Sequence, residues 1–308
     1  MNGLLLVNKP EGMSSYDVVE SVKKILEVKK VGHTGTLDPL ATGLLLICIG
    51  KATKLAQFLQ DFDKVYEGEI TFGITTNTLD KEGEIIEKKD AYSLKKEDIE
   101  KIISSFQGEI NQTPPMFSAI HWQGERLYKL ARKGIKIEIH KRKVYIHKLK
   151  LLSFFPGLHP RAKFKLKCSK GTYIRSLCRD IGKTCGYGAY QSSLKRIEIG
   201  PFRLEKALKI KDLNEMDKEK IKNYFYPLKE ILPHFPLIYV KEEIEKLVKS
   251  GTPLYLSHIE NLPLGLEKGD RVRLCSKKGD LLSIGMSLQD ATHFSKDEIG
   301  FKYLKVLV

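Results

Sequence analysis

The sequence predicts an α+β protein of two units, a large N-terminal domain and a small C-terminal β-barrel. Three observations point there. At 308 residues, with 42% hydrophobic and 30% charged, the chain is long enough for one full core plus a smaller one. Strand-like and helical patterns are mixed through its first two-thirds, and past Pro233 and Pro236 short apolar runs are separated by regularly placed glycines.

Taken in order, Leu4 to Val7 reads as a short buried strand stopped by Pro10 and Gly12. Ser14 to Asp17 has the form of a capping box, and Val18, Val19, Val22, Ile25 and Leu26 recur behind it at helical spacing, so a helix is expected that ends in Lys29 and Lys30. Residues 31–43 hold three glycines, a proline and three threonines, which predicts a structured loop. The unbroken apolar run Leu44 to Ile49 suits a strand buried on both faces, a rigid anchor for that loop. Strands follow at Tyr66 to Phe72, Lys143 to Phe154 and Ala162 to Cys168, and helices at Glu97 to Phe106 and Ile174 to Lys183. Met116 to Lys150 is strongly basic, with Arg126, Lys129, Arg132, Lys133, Lys136, Lys141, Arg142 and Lys143 around Trp122, Tyr128 and Tyr145. It reads either as an RNA-gripping insertion or as a solvated face. From Phe235, Gly251, Gly265, Gly269, Gly279 and Gly285 separate strands such as Val272 to Leu274 and Leu281 to Ile284, the pattern of a small barrel.

Lys and Arg outnumber Asp and Glu by 53 to 38, and a net charge of +15 attracts phosphate backbones. Solubility or a hot-growing host produces lysine-rich surfaces too. The five cysteines form no C-x-x-C pair and read as reduced cytosolic thiols, and the start lacks a basic leader. The longest apolar run is far too short to span a bilayer, so a membrane role is disfavoured. Signatures for nucleotide phosphates, dinucleotides, zinc and a nucleophile elbow are missing, and the eight histidines show no ligand pairing, so no cofactor and no metal are expected.

Asp38, between Leu37 and Pro39, is the standout carboxylate, and it reads either as a nucleophile or as a turn cap. Gly171 to Leu177 opens a helix from a glycine, which places Tyr173 and Arg175 at its entry. A bidentate arginine there would orient Asp38 and hold its carboxyl low and ionised; the alternative is a structural ion pair. His33, between Gly32 and Gly35, is either structural or a stacking partner for a displaced nucleobase.

Four blocks together resemble the TruB-type tRNA pseudouridine synthases: Lys9-Pro10-x-Gly12-x-Ser14-Ser15; Gly32-His33-Thr34-Gly35-Thr36-Leu37-Asp38-Pro39-Leu40-Ala41-Thr42-Gly43; Lys64-x-Tyr66 with Gly73-x-x-Thr76-x-Thr78-x-Asp80-x-x-Gly83; and Gly171-Thr172-Tyr173-Ile174-Arg175. Pro114-Pro115-x-Phe117-Ser118-Ala119, the Gly124 to Gly134 segment, Gly186-x-Gly188-Ala189 and Leu194-Lys195-Arg196 extend the likeness over most of residues 1–200, with His121 standing where lysine is more usual. The resemblance implies a catalytic domain at 1–234 with a central mixed, mainly antiparallel sheet flanked by helices. It further implies an RNA-clamping insertion at about 116–150 and a PUA-like β-barrel at 235–308.

By the same resemblance Asp38 is the catalytic aspartate, Arg175 its partner, and Tyr66 the aromatic over the target base. His33, Tyr173 and Leu194 are implied as substrate contacts, with Lys9 a scaffold first and an RNA contact second, and Arg126 and Arg132 as part of the clamp. The implied reaction converts uridine-55 of the tRNA T-arm to pseudouridine by flipping the base, with no cofactor, the barrel touching the acceptor end. Asp38 attacks uracil C6, attacks ribose C1′, or assists a glycal route in which Tyr66 is the general base, against a reading in which Tyr66 only packs. A cytoplasmic monomer without guide RNA is expected. Other classes are an RNA-binding factor without chemistry, an N-glycosidic hydrolase with a second carboxylate, and a guide-RNA-dependent relative.

Overall fold

The structure, a computed structural model, describes residues 1–135, 137–293 and 298–307; Lys136 of the basic stretch lies outside them. β1 (Gly3–Lys9) pairs antiparallel with β3 (Thr42–Ile49) over its whole length, from Gly3 opposite Ile49 to Lys9 opposite Gly43. Both strands are buried on both faces. Leu5, Val7, Leu45 and Ile47 pack on Val18, Val22 and Leu26 of helix α1 (Ser15–Leu26), while Leu4, Leu6, Leu44, Leu46 and Cys48 pack towards Phe58 and the C-terminal unit. At roughly 1.5–3 kcal/mol per buried aliphatic side chain, the run from Leu44 to Ile49 outweighs the 1–3 kcal/mol that a strained position beside it costs.

The capping box at α1 is present. The Ser14 hydroxyl accepts from Asp17 N at 3.1 Å, and Asp17 accepts from Ser14 N at 2.8 Å. The helix stops at Leu26, short of the expected Lys29 and Lys30, because Glu27 turns left-handed at φ 53°. Residues 31–43 are not all loop: β2 (Val31–His33) pairs along β3 from Val31 opposite Ile49, and β3 itself starts at Thr42. Gly32 fits a strand at this edge position because no partner side chain is asked of it.

The central sheet has ten strands. Beyond those named they are β4 (Lys64–Phe72), β5 (Gly108–Gln112), β6 (Arg142–Phe155), β7 (Arg161–Cys168), β8 (Ala189–Ile199), β9 (Phe202–Arg203) and β10 (Leu208–Lys209). The order is β10-β1-β3-β8-β4-β7-β6-β5, with β2 on β3 and β9 on β8. Only β1 with β10 and β3 with β8 run parallel, so the sheet is mixed and mainly antiparallel. Helices α2 (Lys96–Ser105) and α3 (Ile174–Thr184) cover one face, their Ile99, Ile103, Leu177 and Ile181 packing on Phe72, Leu149, Phe164 and Leu166.

The basic stretch divides. The described residues between 113 and 141 leave the sheet through a hairpin of two-residue strands, His121–Trp122 with Glu125–Arg126, and a short helix, Leu127–Arg132. Residues 142–150, counted by sequence both with the insertion and, from Lys143, with a strand, belong to strand β6 of the sheet, held there by buried Val144, Ile146 and Leu149, so the insertion ends before Arg142. The C-terminal sheet comprises β11 (Leu237–Tyr239), β12 (Leu254–Tyr255), β13 (Arg271–Cys275), β14 (Leu281–Ser287) and β15 (Ile299–Val306) in the order β11-β13-β14-β15-β12. It curls until its edges meet through a bridge between Val240 and Ile259. Among the described residues, no helix is long and apolar enough to cross a membrane.

Candidate active site

The central sheet is nearly split in two. β3 and β8 share only two paired positions, Thr42 with Lys195 and Gly43 with Arg196, and the loop bearing Asp38 enters at that junction. The junction needs a glycine. Gly43 has φ +101°, and a Cβ there would lie 2.3 Å from the Arg196 carbonyl oxygen.

The loop is tied from beneath. Lys9, wholly buried, donates its ammonium to the carbonyls of Met13, Pro10 and Pro39 at 2.6, 2.9 and 2.9 Å. Ser15 Oγ accepts from Leu37 N at 2.9 Å and donates to Leu37 O at 3.1 Å, and Gly12 N donates to Pro39 O at 3.0 Å. On the far side Arg196 Nε donates to Leu44 O at 2.7 Å and Nη2 to Gly35 O at 3.1 Å. His33, half-buried, accepts from Gly35 N at 3.2 Å. Asp38 is thus bracketed by backbone ties on both sides.

Arg175, in the first turn of α3, meets Asp38 at two points: Nε to Oδ2 at 2.9 Å and Nη2 to Oδ1 at 3.0 Å. Arg175 Nη2 also donates to Phe117 O at 2.9 Å, and Nη1 to Thr78 O at 3.1 Å and to Asp80 Oδ2 at 3.4 Å. The Asp38 side chain keeps 39% of its surface open, against 7% for Arg175. One carboxylate therefore faces outward from a buried guanidinium. The expectation that Arg175 holds the Asp38 carboxyl low is corrected: burial pushes it up, the nearby Asp80 charge adds to the rise, and Arg175 only offsets part of it.

Tyr66 and Leu194, from β4 and β8, are buried beside Leu37 in one apolar cluster. Burial pushes the Tyr66 phenol up, against an Arg196 hydrogen bond that pulls it down. Burial and the Arg196 charge push the His33 imidazole down, favouring its neutral form. Tyr173 caps α3, its backbone N held by Gln112 Oε1 at 2.8 Å. Arg126 and Arg132 lie exposed in the 113–141 insertion, Arg132 over the Tyr128 ring at 5.7 Å. The geometry brings Lys9, His33, Asp38, Tyr66, Tyr173, Arg175 and Leu194 together. It puts Arg126 and Arg132 elsewhere.

Three participants were missed as individuals. Ser15, Asp80 and Arg196 sit inside motifs that the sequence singled out, yet nothing in their spacing says that Ser15 grips Leu37, that Asp80 backs Arg175, or that Arg196 bridges β8 to the loop. Among the described residues, no group of three or more His, Cys, Asp or Glu side chains is placed to hold a metal ion.

Comparison with known proteins adds the lineage. The model of the TruB family pseudouridylate synthase N-terminal domain matches residues 23–174, and that of the tRNA pseudouridylate synthase B C-terminal domain matches 175–233. A tRNA pseudouridine synthase B of Pelotomaculum thermopropionicum is 43% identical, covering 100% of this chain and 97% of its own length. One of Clostridium tetani is 40% identical over the full length of both. Among solved structures, the chain in an archaeal box H/ACA Nop10-Cbf5 complex is 25% identical with a TM-score of 0.76, covering 99% of this chain and 86% of its own. With such relatives matched from end to end, the chain belongs to the tRNA pseudouridine synthase B family.

Proposed function

We propose that the protein isomerises uridine-55 in the T-arm of tRNA to pseudouridine, with Asp38 as the catalytic carboxylate. The observation that carries this reading is the two-point Asp38–Arg175 contact, open on the outer side of Asp38, beside Tyr66 and Leu194 in a chain of this family. The N1–C1′ bond breaks and a C5–C1′ bond forms. The C5 proton is lost and N1 is protonated, so no electrons and no outside group are needed.

The target base leaves its stack at a cost of a few kcal/mol before Asp38 reaches it. His33, kept neutral, takes the apolar stacking role, and Leu194 packs against the flipped ring. We assign Tyr66 to stacking because its ring is buried with Leu37 and Leu194 in the apolar cluster beside Asp38. Tyr173 lines the entry, Lys9 supports the loop from below, and Arg126 and Arg132 grip the RNA from the insertion.

Residues 1–234 then form the catalytic domain and 235–308 a PUA-like domain that touches the acceptor end. In this reading the protein acts as a monomer. Relatives at 40–43% identity, named for tRNA, favour direct recognition over guide RNA, and a tRNA substrate fits a cytoplasmic location.

The test is incubation of purified protein with unmodified tRNA transcript, reading pseudouridine at single-nucleotide resolution beside Asp38→Ala. Product at position 55 that vanishes in the variant is expected. Tight binding with unaltered uridine overturns the reading in favour of an RNA-binding factor.

A further inference from the structure

The face of the central sheet opposite α2 and α3 carries charge that the site does not use. On β7, Arg161, Lys163, Lys165 and Lys167 all point outward, alternating with buried Ala162, Phe164, Leu166 and Cys168. The neighbouring β6 presents Lys148 and Lys150 on the same face, and β8 presents Lys195. Among the described residues, Glu67 and Glu69 of β4 oppose them, Glu67 3.6 Å from Lys165 and Glu69 3.5 Å from Arg161, while Glu198 of β8 on the same face is paired with Arg203.

The register is what makes this more than a solvated surface. Lys148 stands directly opposite Lys167, and Lys150 directly opposite Lys165. Like charges in directly opposed positions destabilise a sheet, so two such adjacent pairs are a cost that folding alone does not repay. Lys148, Lys150 and Lys167 have no carboxylate within ion-pair distance among the described residues. At the end of the same face Phe155 is exposed, with Arg161 at 5.4 Å and Lys163 at 5.7 Å from its ring. Basic groups interleaved with an open aromatic ring are the chemistry of a phosphate-backbone grip.

Its position agrees. Thr42 pairs with Lys195, so the outward face of β7 continues into the face of β3 that carries Thr42, Leu44, Leu46 and Cys48. The C-terminal unit packs on that face through Cys275, Leu281 and Ile284. The lysines and the C-terminal unit therefore lie on one side of the sheet, and an RNA held by that unit has the lysines beside it.

We propose that Lys148, Lys150, Lys163, Lys165 and Lys167 form a second RNA contact, binding phosphates of the tRNA outside the T-arm. The proposal rests on the tRNA reading above. Each lysine engaged on a phosphate steepens the fall of log K with log salt by about one.

The test compares the wild type with a Lys148→Gln/Lys150→Gln/Lys167→Gln variant on two probes, full-length tRNA transcript and an isolated T-arm hairpin. Affinity for the full transcript is expected to fall about tenfold or more at 0.15 M salt, with a salt slope about three units shallower, while hairpin affinity stays within about twofold. Replacement of the same three residues by Arg restores transcript binding. The Gln variant melts no lower than the wild type, since it loses two like-charge pairs, and this guards against mere misfolding. Unchanged transcript affinity and slope, or equal loss on both probes, overturns the proposal. Failure of the wild type to modify the hairpin or the transcript overturns the tRNA reading instead.

Discussion

Arg175 meets Asp38 as a fork on a fork, Nε at 2.9 Å from one carboxylate oxygen and Nη2 at 3.0 Å from the other. A lysine carries the charge but offers a single point, so it leaves the carboxylate free to rotate. Arg175→Lys is expected to lower kcat by about 100-fold, because a misplacement near 1 Å costs that much. The KM for tRNA should stay within a few-fold. Single-turnover pseudouridine formation checks this, and a comparable rise in KM with kcat intact would show that Arg175 holds RNA instead.

Asp80 sits behind that fork. Its Oδ1 accepts from Thr78 Oγ1 at 2.6 Å and from Glu82 N at 3.2 Å, and its Oδ2 takes Arg175 Nη1. The Asp80 charge pushes the Asp38 carboxyl up, alongside burial. A nucleophilic carboxylate works only when ionised, so a raised carboxyl moves the acid limb of the pH–rate profile above the ordinary Asp range of about 4. Asp80→Asn removes a neighbouring negative charge, which favours ionised Asp38 and shifts the limb to lower pH, even as the looser Arg175 lowers the plateau. A pH profile of single-turnover rate reads both effects. An unmoved limb would mean that Asp38 does not set it.

Gly43 is argued from space. With φ at +101° and the Arg196 carbonyl 2.3 Å from a hypothetical Cβ, Gly43→Ala forces the junction of β3 and β8 apart. Left-handed strain of about 1–2 kcal/mol and overpacking of about 1–3 kcal/mol give a loss on the order of 2–5 kcal/mol. The urea midpoint measures it. A variant as stable as the wild type would show that the two halves of the sheet part easily there.

The sequence read the elements well where burial is two-sided or strictly alternating. Leu44 to Ile49 and Arg161 to Cys168 announce their strands because every side chain has one possible side. Lys143 to Phe154 was legible as a strand, yet residues 142–150 also counted with the basic insertion, since five of the nine are basic or histidine, and buried Val144, Ile146 and Leu149 settle them in the sheet. Asp38 and Arg175 were legible as a pair of chemical types, and their 137-residue separation was bridged by resemblance, not by spacing. Asp80 and Arg196 could not be assigned from sequence. Their work is done on backbone carbonyls and on another residue's guanidinium, and only the register of β8 against β3 and β4 brings those groups within reach.

Lys9 offers a pH test with a definite sign. Its ammonium is solvated by three carbonyls and no carboxylate, and burial lowers its pKa to about 8 from 10.5. Between those values the unfolded chain binds the proton that the folded one has released, so unfolding free energy from this group rises with pH. The stability of wild type relative to Lys9→Met should therefore grow from pH 8 to pH 10.5, by up to about 3 kcal/mol at 1.36 kcal/mol per pKa unit. Near pH 7 the Met variant escapes the cost of a buried charge but strands three carbonyls at about 1–3 kcal/mol, so it is expected to fall somewhat below the wild type. It should also lose activity, since the Pro39 carbonyl beside Asp38 is no longer held. Denaturant unfolding of both proteins at pH 7, 8.5 and 10 decides the point, and a difference that stays flat across that range would mean that Lys9 titrates alike in folded and unfolded chains.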